Sequence, residues 1–524
     1  MQHYALTVDK FLDHAAKWYS GIGVVEAVSG KPSRKQSYAD LRERSNQLSG
    51  ALTTLGLQFG DRIGTLAWNT QGHLEIYYAA MGIGLVCHTL NPRLTPAHLT
   101  AMINAADDRV LAVAADLLPI VRGVLPGCPQ IQHIIVLDHA PADLDGFNDV
   151  TIWTLDALLA QHGAPAVWGG FDENSPAGLC FTSGTTGAPK GVVYTHRSNY
   201  LHTMNIMQAD VFGLTSADVV LAAVPMFHAN GWGLPFAAPA AGTRLVLPGP
   251  ALDGASLARL MRDEAVTVAV GVPTVWIGVV DHLEATGDSL PALKRVLIGG
   301  SSCPEALISR IEDKLGVYVQ TSWGMTELSP LGAVAPAGGA PLATRASGRP
   351  PVGVDLKLTD ADGQTLNPQR SVVGHLKVRG ASVIDRYYQG ADNVLDAEGY
   401  FDTGDLASID DHGYLTIRGR SKDLIKSGGE WINPGEMEAI IGRDPRIRHI
   451  AIIGRADAKW GERPVLVVEW ETGPADPRDL IELLRGQVAD WWLPSEAIAV
   501  SAMPLAVSGK IDKLALRANY AAGV

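Results

Sequence analysis

Short apolar runs alternate with stretches of helical spacing along the first two thirds of the chain. The helical stretches include 256–264 and 304–315, where apolar residues recur every three to four positions. Continuous apolar strands between helices are typical of parallel sheets that are buried on both faces. The pattern therefore predicts an α/β fold with mostly parallel sheets. The apolar runs are RVLAVA (109–114), HIIVLD (133–138), VVLAAVP (219–225), TRLVLP (243–248) and KRVLIGG (294–300).

The pattern of apolar and polar residues changes near Val354. The segments VDLKLTD, GHLKVRG and GYLTIRGR are separated by Asp-Gly, Glu-Gly and His-Gly turns, which predicts an antiparallel β subdomain. After Arg420 the α/β pattern returns, with a helix from Pro434, strands in HIAIIGRAD and RPVLVVEW, and a helix from Asp476. This block predicts a small separate C-terminal domain.

The N-terminal segment predicts an amphipathic helix, because Phe11, Leu12, Ala15 and Trp18 fall on one helical face. The uncharged stretch 265–280 contains Gly271, Pro273 and Gly278 and is shorter than the ~20 residues of a membrane span. Neither segment indicates a membrane span or a signal peptide.

Length and charge narrow the class of protein. A chain of 524 residues predicts three or four structural units at ~150 residues each. With 42 Lys and Arg against 55 Asp and Glu, the net charge of −13 disfavours binding to a nucleic acid polymer. It leaves room for a local basic pocket that binds a small anion. The four cysteines are scattered, which favours a reducing compartment and predicts a cytoplasmic protein. They are Cys87, Cys128, Cys180 and Cys303.

The segment FTSGTTGAPKG (181–191) is the strongest candidate for a phosphate-binding loop. It combines three glycines and four hydroxyl residues with Lys190, so that backbone N–H groups, hydroxyls and one ammonium can surround phosphate oxygens. It is not a Walker A loop, because Pro189 precedes the lysine and Gly191 follows it. The alternative for such a run is an ordinary surface loop.

Two further segments are weaker when taken alone. In QTSWGMTELSP (320–330), the aromatic Trp323 is suited to stack on a planar base, and Thr326 with Glu327 to hold a phosphate and a hard cation. Core packing is an equal alternative for this segment. In YFDTGDLASID (400–410), Asp405 is suited to accept hydrogen bonds from a ribose diol, with a structural turn residue as the alternative.

Two basic segments complete the set. In 417–438, Arg420 and Lys422 lie at the predicted domain boundary, and Gly428 with Gly429 frees the backbone for close approach to a ligand. In MPLAVSGKIDK (503–513), Lys510 follows a glycine near the C-terminus, where a lysine taken alone is usually solvated.

These five motifs, in this order, resemble those of the acyl-adenylate-forming superfamily, which includes acyl-CoA synthetases, firefly-type luciferases and peptide-synthetase adenylation domains. The resemblance extends from about Tyr38 to Lys513. Within the superfamily, VPMFHANGWGLP (224–235), DLIKSGGEWI and KWGERP (459–464) look most like medium- and long-chain fatty acyl-CoA synthetases and bacterial methylmercaptopropionate-CoA ligases.

The resemblance implies a domain organisation. A large N-terminal domain (1–419) would comprise two parallel-sheet α/β lobes and a β-barrel-like subdomain at about 350–419. A hinge at 420–423 would lead to a small, mobile α+β domain at 424–524.

The resemblance also implies roles for individual residues. Trp323 would lie against adenine, Thr182 and Glu327 would hold Mg²⁺, and Lys510 would serve adenylation. His228 and Trp232 would gate the acyl tunnel, and Lys422 would be the hinge residue. The implied catalytic residues are Lys510, Thr182, Lys190, Glu327 and His228. The residues implied to bind the nucleotide and cofactors are Thr182, Ser183, Gly184, Thr185, Thr186, Gly187, Lys190, Gly300, Ser301, Trp323, Gly324, Met325, Thr326, Asp405, Arg420, Lys422, Gly429 and Glu430. The residues implied to bind the acyl group, called the acyl set, are His228, Trp232, Gly299, Gly300 and Trp323.

The implied reaction joins a carboxylic acid to CoA at the expense of ATP, through an acyl-adenylate, with Mg²⁺ as cofactor. Small residues around 231–238 leave room for an apolar acyl group, which favours medium- or long-chain fatty acids. Short thioether and aryl-alkanoic acids remain open. So do a loader acting on a carrier protein, a luciferase-type oxygenase and a pure binding protein. A homodimer is a further expectation from the resemblance.

Overall fold

The structure, a computed structural model, describes residues 1–138, 147, 149–182, 189–301, 303–338, 346–428, 430–471, 473–506 and 511–520. Its strands form four sheets of seven, eight, four and five strands. Among the helices of these described residues, none is long and apolar enough to cross a membrane.

Helices and strands alternate as the sequence predicts. In chain order the helices are α1 (Asp9–Trp18), α2 (Tyr38–Thr54), α3 (Gln71–Gly82), α4 (Pro96–Ala106), α5 (Leu118–Val124), α6 (Leu155–His162), α7 (His196–Ile206), α8 (Leu234–Ala241), α9 (Gly254–Asp263), α10 (Pro273–Thr286), α11 (Glu305–Leu315), α12 (Pro434–Ile441), α13 (Asp479–Glu482) and α14 (Lys513–Tyr520). The strands of the two larger sheets are β1 (Gly23–Glu26), β2 (Arg34–Ser37), β3 (Arg62–Leu66), β4 (Val86–Thr89), β5 (Val110–Val113), β6 (His133–Val136), β7 (Thr151–Thr154), β8 (Pro176–Thr182), β9 (Lys190–Thr195), β10 (Val219–Ala222), β11 (Arg244–Leu247), β12 (Val268–Gly271), β13 (Arg295–Ile298), β14 (Tyr318–Gly324) and β15 (Leu331–Val334).

Two large sheets form the N-terminal lobes. The first has the order β7-β6-β5-β3-β4-β8-β9 and is parallel except for the β8–β9 hairpin. The second has the order β15-β14-β13-β12-β10-β11-β1-β2 and is parallel except at its two ends. Their central strands are buried along their length, which is why each reads as a continuous apolar run. The predicted fold class is confirmed for this region.

The remaining strands form two smaller sheets: β16 (Val354–Thr359), β17 (Val373–Gly380), β18 (Phe401–Ile409) and β19 (Leu415–Arg420), then β20 (Ile425–Ser427), β21 (Glu430–Ile432), β22 (Ile447–Asp457), β23 (Gly461–Trp470) and β24 (Glu496–Val500). The first four pair in chain order as an antiparallel meander. In the last sheet β22 and β23 form a long hairpin, and β24 pairs with β23 in parallel. Two separate apolar clusters cover this sheet, one including Met437 of α12 and the other Leu516 of α14.

Helix boundaries follow from local sequence. Threonine or serine N-caps begin several helices, because the side-chain oxygen accepts a hydrogen bond from an otherwise unpaired N–H of the first turn. Such caps are Ser37, Thr70, Thr95, Thr154 and Thr195.

Two predictions about helices are wrong. Trp18 is 65% exposed, so it does not join Phe11, Leu12 and Ala15 on the buried face of α1. The helix expected from Asp476 is reduced to the short α13.

Three buried histidines predict a loss of stability in mild acid. Burial lowers the pKa of His73 to about 4 and those of His196 and His202 to about 3. Because an unfolded histidine titrates near ~6.5, only the unfolded chain binds these protons at about pH 5, so the free energy of unfolding falls as pH decreases through that range. We expect Tm to be several degrees lower at about pH 5 than at about pH 7.5.

A substitution isolates one of these histidines. The His202 side chain accepts a hydrogen bond from the Leu331 N–H at 3.4 Å, which a glutamine oxygen can also accept. His202→Gln should therefore flatten the dependence of Tm on pH, whereas the same change at the exposed His98 should leave it unaltered. Equal pH profiles for wild type and His202→Gln would show that the histidine does not contribute.

Candidate active site

The predicted phosphate loop lies at the tip of the β8–β9 hairpin. Thr182 and Lys190 are paired across the two strands, so they form the two ends of the loop. The exposed Lys190 ammonium lies over the ring of Tyr387, 4.8 Å from its centroid. The tip itself, with Ser183, Gly184, Thr185, Thr186 and Gly187, lies outside the described residues. Helix α7 follows β9 and begins at its Thr195 cap.

A tight turn after β14 fixes the position of Glu327. A Cβ atom on Gly324 would lie 2.2 Å from the Pro330 carbonyl oxygen, so this close approach requires glycine. The Met325 N–H donates to the same oxygen at 3.0 Å, and a 3-10 helix follows at Thr326–Leu328. Glu327 is only 8% exposed, and its Oε1 accepts a hydrogen bond from the Tyr387 hydroxyl at 3.0 Å.

Asp405 connects two of the predicted motifs. It is 3% exposed, and its Oδ2 accepts a hydrogen bond from the Trp323 indole N–H at 2.9 Å. Across the β18–β19 pair, Arg420 Nε lies 2.8 Å from its Oδ1 and Arg420 Nη1 donates to the Thr403 carbonyl at 2.9 Å. These contacts keep the Asp405 carboxylate in one orientation.

Trp323 is more deeply buried than a free stacking surface would be. It is 8% exposed and packs over Gly332, where an added Cβ would lie 2.2 Å from the indole ring. Its N–H orients Asp405, a structural role that the sequence did not suggest. Stacking of adenine on the remaining surface of Trp323 stays a prediction.

The predicted acyl side is built around a strained loop. Ala229, Asn230 and Trp232 have positive φ angles of 42°, 53° and 55°, which cost non-glycine residues of order 1 kcal/mol each. The Trp232 ring lies on two consecutive glycines: added Cβ atoms on Gly299 and Gly300 would lie 3.0 and 3.3 Å from it. The tryptophan thus covers the end of β13 and needs glycine beneath it.

Two other predicted residues border this loop. His228 is half-buried, and its ring lies 5.3 Å from that of Phe227. Ser301 is exposed directly after Gly300.

The predicted hinge contains a short 3-10 helix, Ser421–Asp423. Burial lowers the pKa of Lys422, and the neighbouring charges of Arg420 and Arg517 lower it further, against the opposing effect of Asp423. Asp423 also pairs with Arg517 of α14 at 3.0 Å. Beyond the hinge, Glu430 is exposed on β21, whereas Gly429 and Lys510 lie outside the described residues.

The described residues bring together Lys190, Glu327, Trp323, Asp405 and Arg420. Sequence reasoning missed Tyr387, which links the first two, because it lies in the loop segment RYYQG (386–390), outside every motif. Within the described ranges, no group of three or more His, Cys, Asp or Glu side chains is arranged to hold a metal ion. The single carboxylate of Glu327 nevertheless fits Mg²⁺, which proteins usually bind through one or two carboxylates together with substrate phosphates.

A glycine-rich segment that connects β8 to β9, the buried carboxylate of Glu327 and the Asp405–Arg420 pair are together the features expected of an adenylate-forming enzyme. A family model described as AMP-binding enzyme matches residues 13–388, and one described as AMP-binding enzyme C-terminal domain matches residues 436–510. The chain belongs to the AMP-binding enzyme family.

Its full-length relatives are acid–CoA ligases. The chain is 41% identical to the 3-methylmercaptopropionyl-CoA ligase of Ruegeria lacuscaerulensis, over 99% of this chain and 98% of that protein. It is 38% identical to the medium-chain-fatty-acid–CoA ligase of Ectopseudomonas oleovorans, over 99% and 97% of the two chains. The crystal structure of the anthranilate CoA ligase AuaEII in complex with anthranoyl-AMP shares its fold, with a TM-score of 0.89, 22% identity and coverage of 99% and 98%. The predicted superfamily, fold and class of AMP-forming acyl-CoA synthetase are confirmed.

Proposed function

We propose that this protein activates an apolar carboxylic acid with ATP and transfers the acyl group to CoA, with medium- or long-chain fatty acids as its first substrates. The observation that carries the proposal is one connected set of contacts. Lys190 and Glu327 both contact Tyr387. Trp323, four residues before Glu327, donates its indole N–H to Asp405, which pairs with Arg420. Four of the five motifs thus contribute residues to one set of contacts.

The first half-reaction brings two anions together. A carboxylate oxygen of the acid forms a bond to the α-phosphorus of ATP, and the bond from that phosphorus to the bridging oxygen of diphosphate breaks. Lys190 and Lys510 stabilise the negative charge on the transferring and leaving phosphates, so the barrier falls through positioning and electrostatics. When bound at Glu327 and Thr182, Mg²⁺ supplies additional neutralisation of phosphate charge.

The nucleotide is held from its ribose side. The Asp405 carboxylate accepts hydrogen bonds from the ribose diol, with its orientation fixed by Trp323 and Arg420. The adenine lies near Trp323 and the residues that follow it, from Gly324 to Thr326. It also lies near Gly300 and Ser301.

The second half-reaction transfers the acyl group. The CoA thiol loses its proton to solvent and its sulfur bonds to the acyl carbon, as the bond from that carbon to the AMP oxygen breaks and AMP leaves. Gly429 and Glu430 belong to the CoA side of the site. Lys422 serves as the hinge residue that lets the C-terminal domain carry Lys510 away from the acyl-adenylate.

A second candidate substrate is a short thioether acid. The Trp232 ring lies directly on Gly299 and Gly300, which belong to the proposed acyl set, and a ring in this place favours a short acyl chain. The Ruegeria relative, named for 3-methylmercaptopropionyl-CoA, supports the same candidate. His228 lies at the start of this loop and completes the proposed acyl gate.

A panel of acids tests the proposal. Butanoate, octanoate, hexadecanoate, 3-methylmercaptopropanoate and phenylacetate are each supplied with ATP, Mg²⁺ and CoA, and kcat/KM is measured from AMP release. We expect the highest value for octanoate or hexadecanoate, and Trp232→Ala should raise the ratio of hexadecanoate to butanoate by about tenfold by lengthening the acyl space.

The exposed Trp18 offers a matched control, since Trp18→Ala on the surface of α1 should leave the ratio unchanged. A preference for 3-methylmercaptopropanoate would establish the second candidate. Transfer to a holo-carrier protein but not to free CoA, oxygen consumption with the acyl-adenylate, or no AMP release with any acid would contradict the proposal.

The expected homodimer, which rests on the resemblance, and the expected cytoplasmic location, which rests on the scattered cysteines, are part of the same proposal. Light scattering during gel filtration measures the mass of the particle, and cell fractionation measures the location.

A further inference from the structure

The segment 384–388, between β17 and β18, joins two parts of the site. At one end the Ile384 N–H donates to the Glu327 carbonyl at 3.0 Å. At the other end the Tyr388 N–H donates to the Gly191 carbonyl, next to Lys190, at 2.7 Å. The β subdomain therefore attaches to the turn that carries Glu327 and to the hairpin that carries Lys190.

Tyr387 lies between these two attachments and contacts both charged side chains. Its hydroxyl donates to Glu327 Oε1 at 3.0 Å, and its ring face lies below the Lys190 ammonium at 4.8 Å. A tyrosine hydroxyl is protonated at physiological pH, so it remains a hydrogen-bond donor to the carboxylate.

The arrangement separates two opposite charges that would otherwise neutralise each other. A flexible lysine beside a carboxylate tends to form an ion pair, and that pair would compete with the contacts of both groups to phosphate and metal. Tyr387 instead offers the ammonium a cation–π surface and the carboxylate a neutral donor.

We propose that Tyr387 is a positioning residue that holds Glu327 and Lys190 apart and aligned for the phosphates of ATP and their Mg²⁺. This inference rests on the proposed function, because it assigns Glu327 and Lys190 to the nucleotide site. Tyr387 acts through these two residues and is not itself a catalytic residue.

Two variants separate its two contacts. Tyr387→Phe removes the hydroxyl but keeps the ring below Lys190, and Tyr387→Leu removes both. Tyr388→Phe is the matched control, because the neighbouring tyrosine meets Gly191 through its backbone and its ring packs near Phe181. The readout is calorimetric binding of an ATP analogue with a methylene group between its α- and β-phosphorus, measured over a range of Mg²⁺ concentrations.

We expect Tyr387→Phe to raise the Mg²⁺ concentration needed for half-maximal binding of the analogue about tenfold. This is the effect expected from the loss of one hydrogen bond to a charged group. Tyr387→Leu should also weaken binding at saturating Mg²⁺, since Lys190 loses its cation–π contact. In a Glu327→Gln background, Tyr387→Phe should add almost no change in Mg²⁺ dependence, because both substitutions act on one contact. Thioester formation from synthetic acyl-AMP and CoA should be retained in Tyr387→Phe and Tyr387→Leu.

Wild-type Mg²⁺ dependence in Tyr387→Phe would overturn the inference. A parallel loss in nucleotide binding and in thioester formation would also overturn it, since a merely structural role predicts that pattern. Failure of the proposed function is distinct: the wild-type protein itself would then neither bind the analogue nor form a thioester from any acid.

Discussion

Replacing Lys510 with alanine is expected to slow acyl-adenylate formation by about 10²–10³-fold, the loss associated with removing one preorganised group that stabilises transition-state charge. Thioester formation from synthetic acyl-AMP and CoA should be largely retained, because no diphosphate leaves in that half-reaction. Acid-dependent exchange of pyrophosphate into ATP measures the first half-reaction, and release of AMP from the synthetic adenylate measures the second.

Lys513 provides the control for this experiment. Its ammonium lies 2.7 Å from Glu438 Oε1 within the C-terminal domain, so it is committed to a contact away from the nucleotide. Lys513→Ala should leave both half-reactions close to wild type. Equal losses of the two half-reactions in Lys510→Ala would contradict the assignment of this lysine to adenylation.

Asp405→Ala should lower kcat/KM for ATP by at least about 100-fold, because it removes the proposed ribose contact and the partner of two donors. The Trp323 indole N–H is buried and would lose its acceptor, and Arg420 would keep only its bond to the Thr403 carbonyl. Leaving such donors unpaired costs about 1–3 kcal/mol each, so Tm should decrease as well. Steady-state kinetics with varied ATP and a thermal scan measure the two effects.

Two further variants assign the Asp405 effect to its cause. Asp405→Asn keeps an acceptor for Trp323 and removes the charge, so its Tm should lie between wild type and Asp405→Ala. Asp402→Ala changes an exposed aspartate on the same strand and should leave the KM for ATP unchanged. An unaltered KM for ATP in a folded Asp405→Ala protein would exclude the ribose role.

The fold could be predicted largely because burial on both faces leaves a continuous apolar signature. The runs at 110–113 and 295–298 became central parallel strands in this way. The helical spacing of apolar residues was a less reliable guide to whether one particular residue of a helix is buried. Trp18 satisfies the helical spacing but projects into solvent, because α1 buries its neighbours Phe11 and Leu12 instead.

The candidate site could be predicted as a set of motifs but not as a set of contacts. The spacing of glycines, hydroxyls and Lys190 indicates phosphate chemistry locally. The bond from Trp323 to Asp405 depends on which strands lie side by side, and no local pattern contains that information. Tyr387 was missed for the same reason, since its two partners come from β9 and from the turn after β14.

The chain path through the two large sheets has a consequence for synthesis on the ribosome. β1 and β2 belong to the eight-stranded sheet, yet β3 to β9 build the other sheet before the chain returns, and Val24 pairs with Leu245. β1 therefore leaves the exit tunnel more than two hundred residues before its parallel partner β11, and until then it can pair only with β2. The eight-stranded sheet is therefore not one contiguous stretch of the chain, whereas β3 to β9 are, so a nascent chain can form the seven-stranded sheet first, and truncation between the two sheets leaves the edge of β1 exposed.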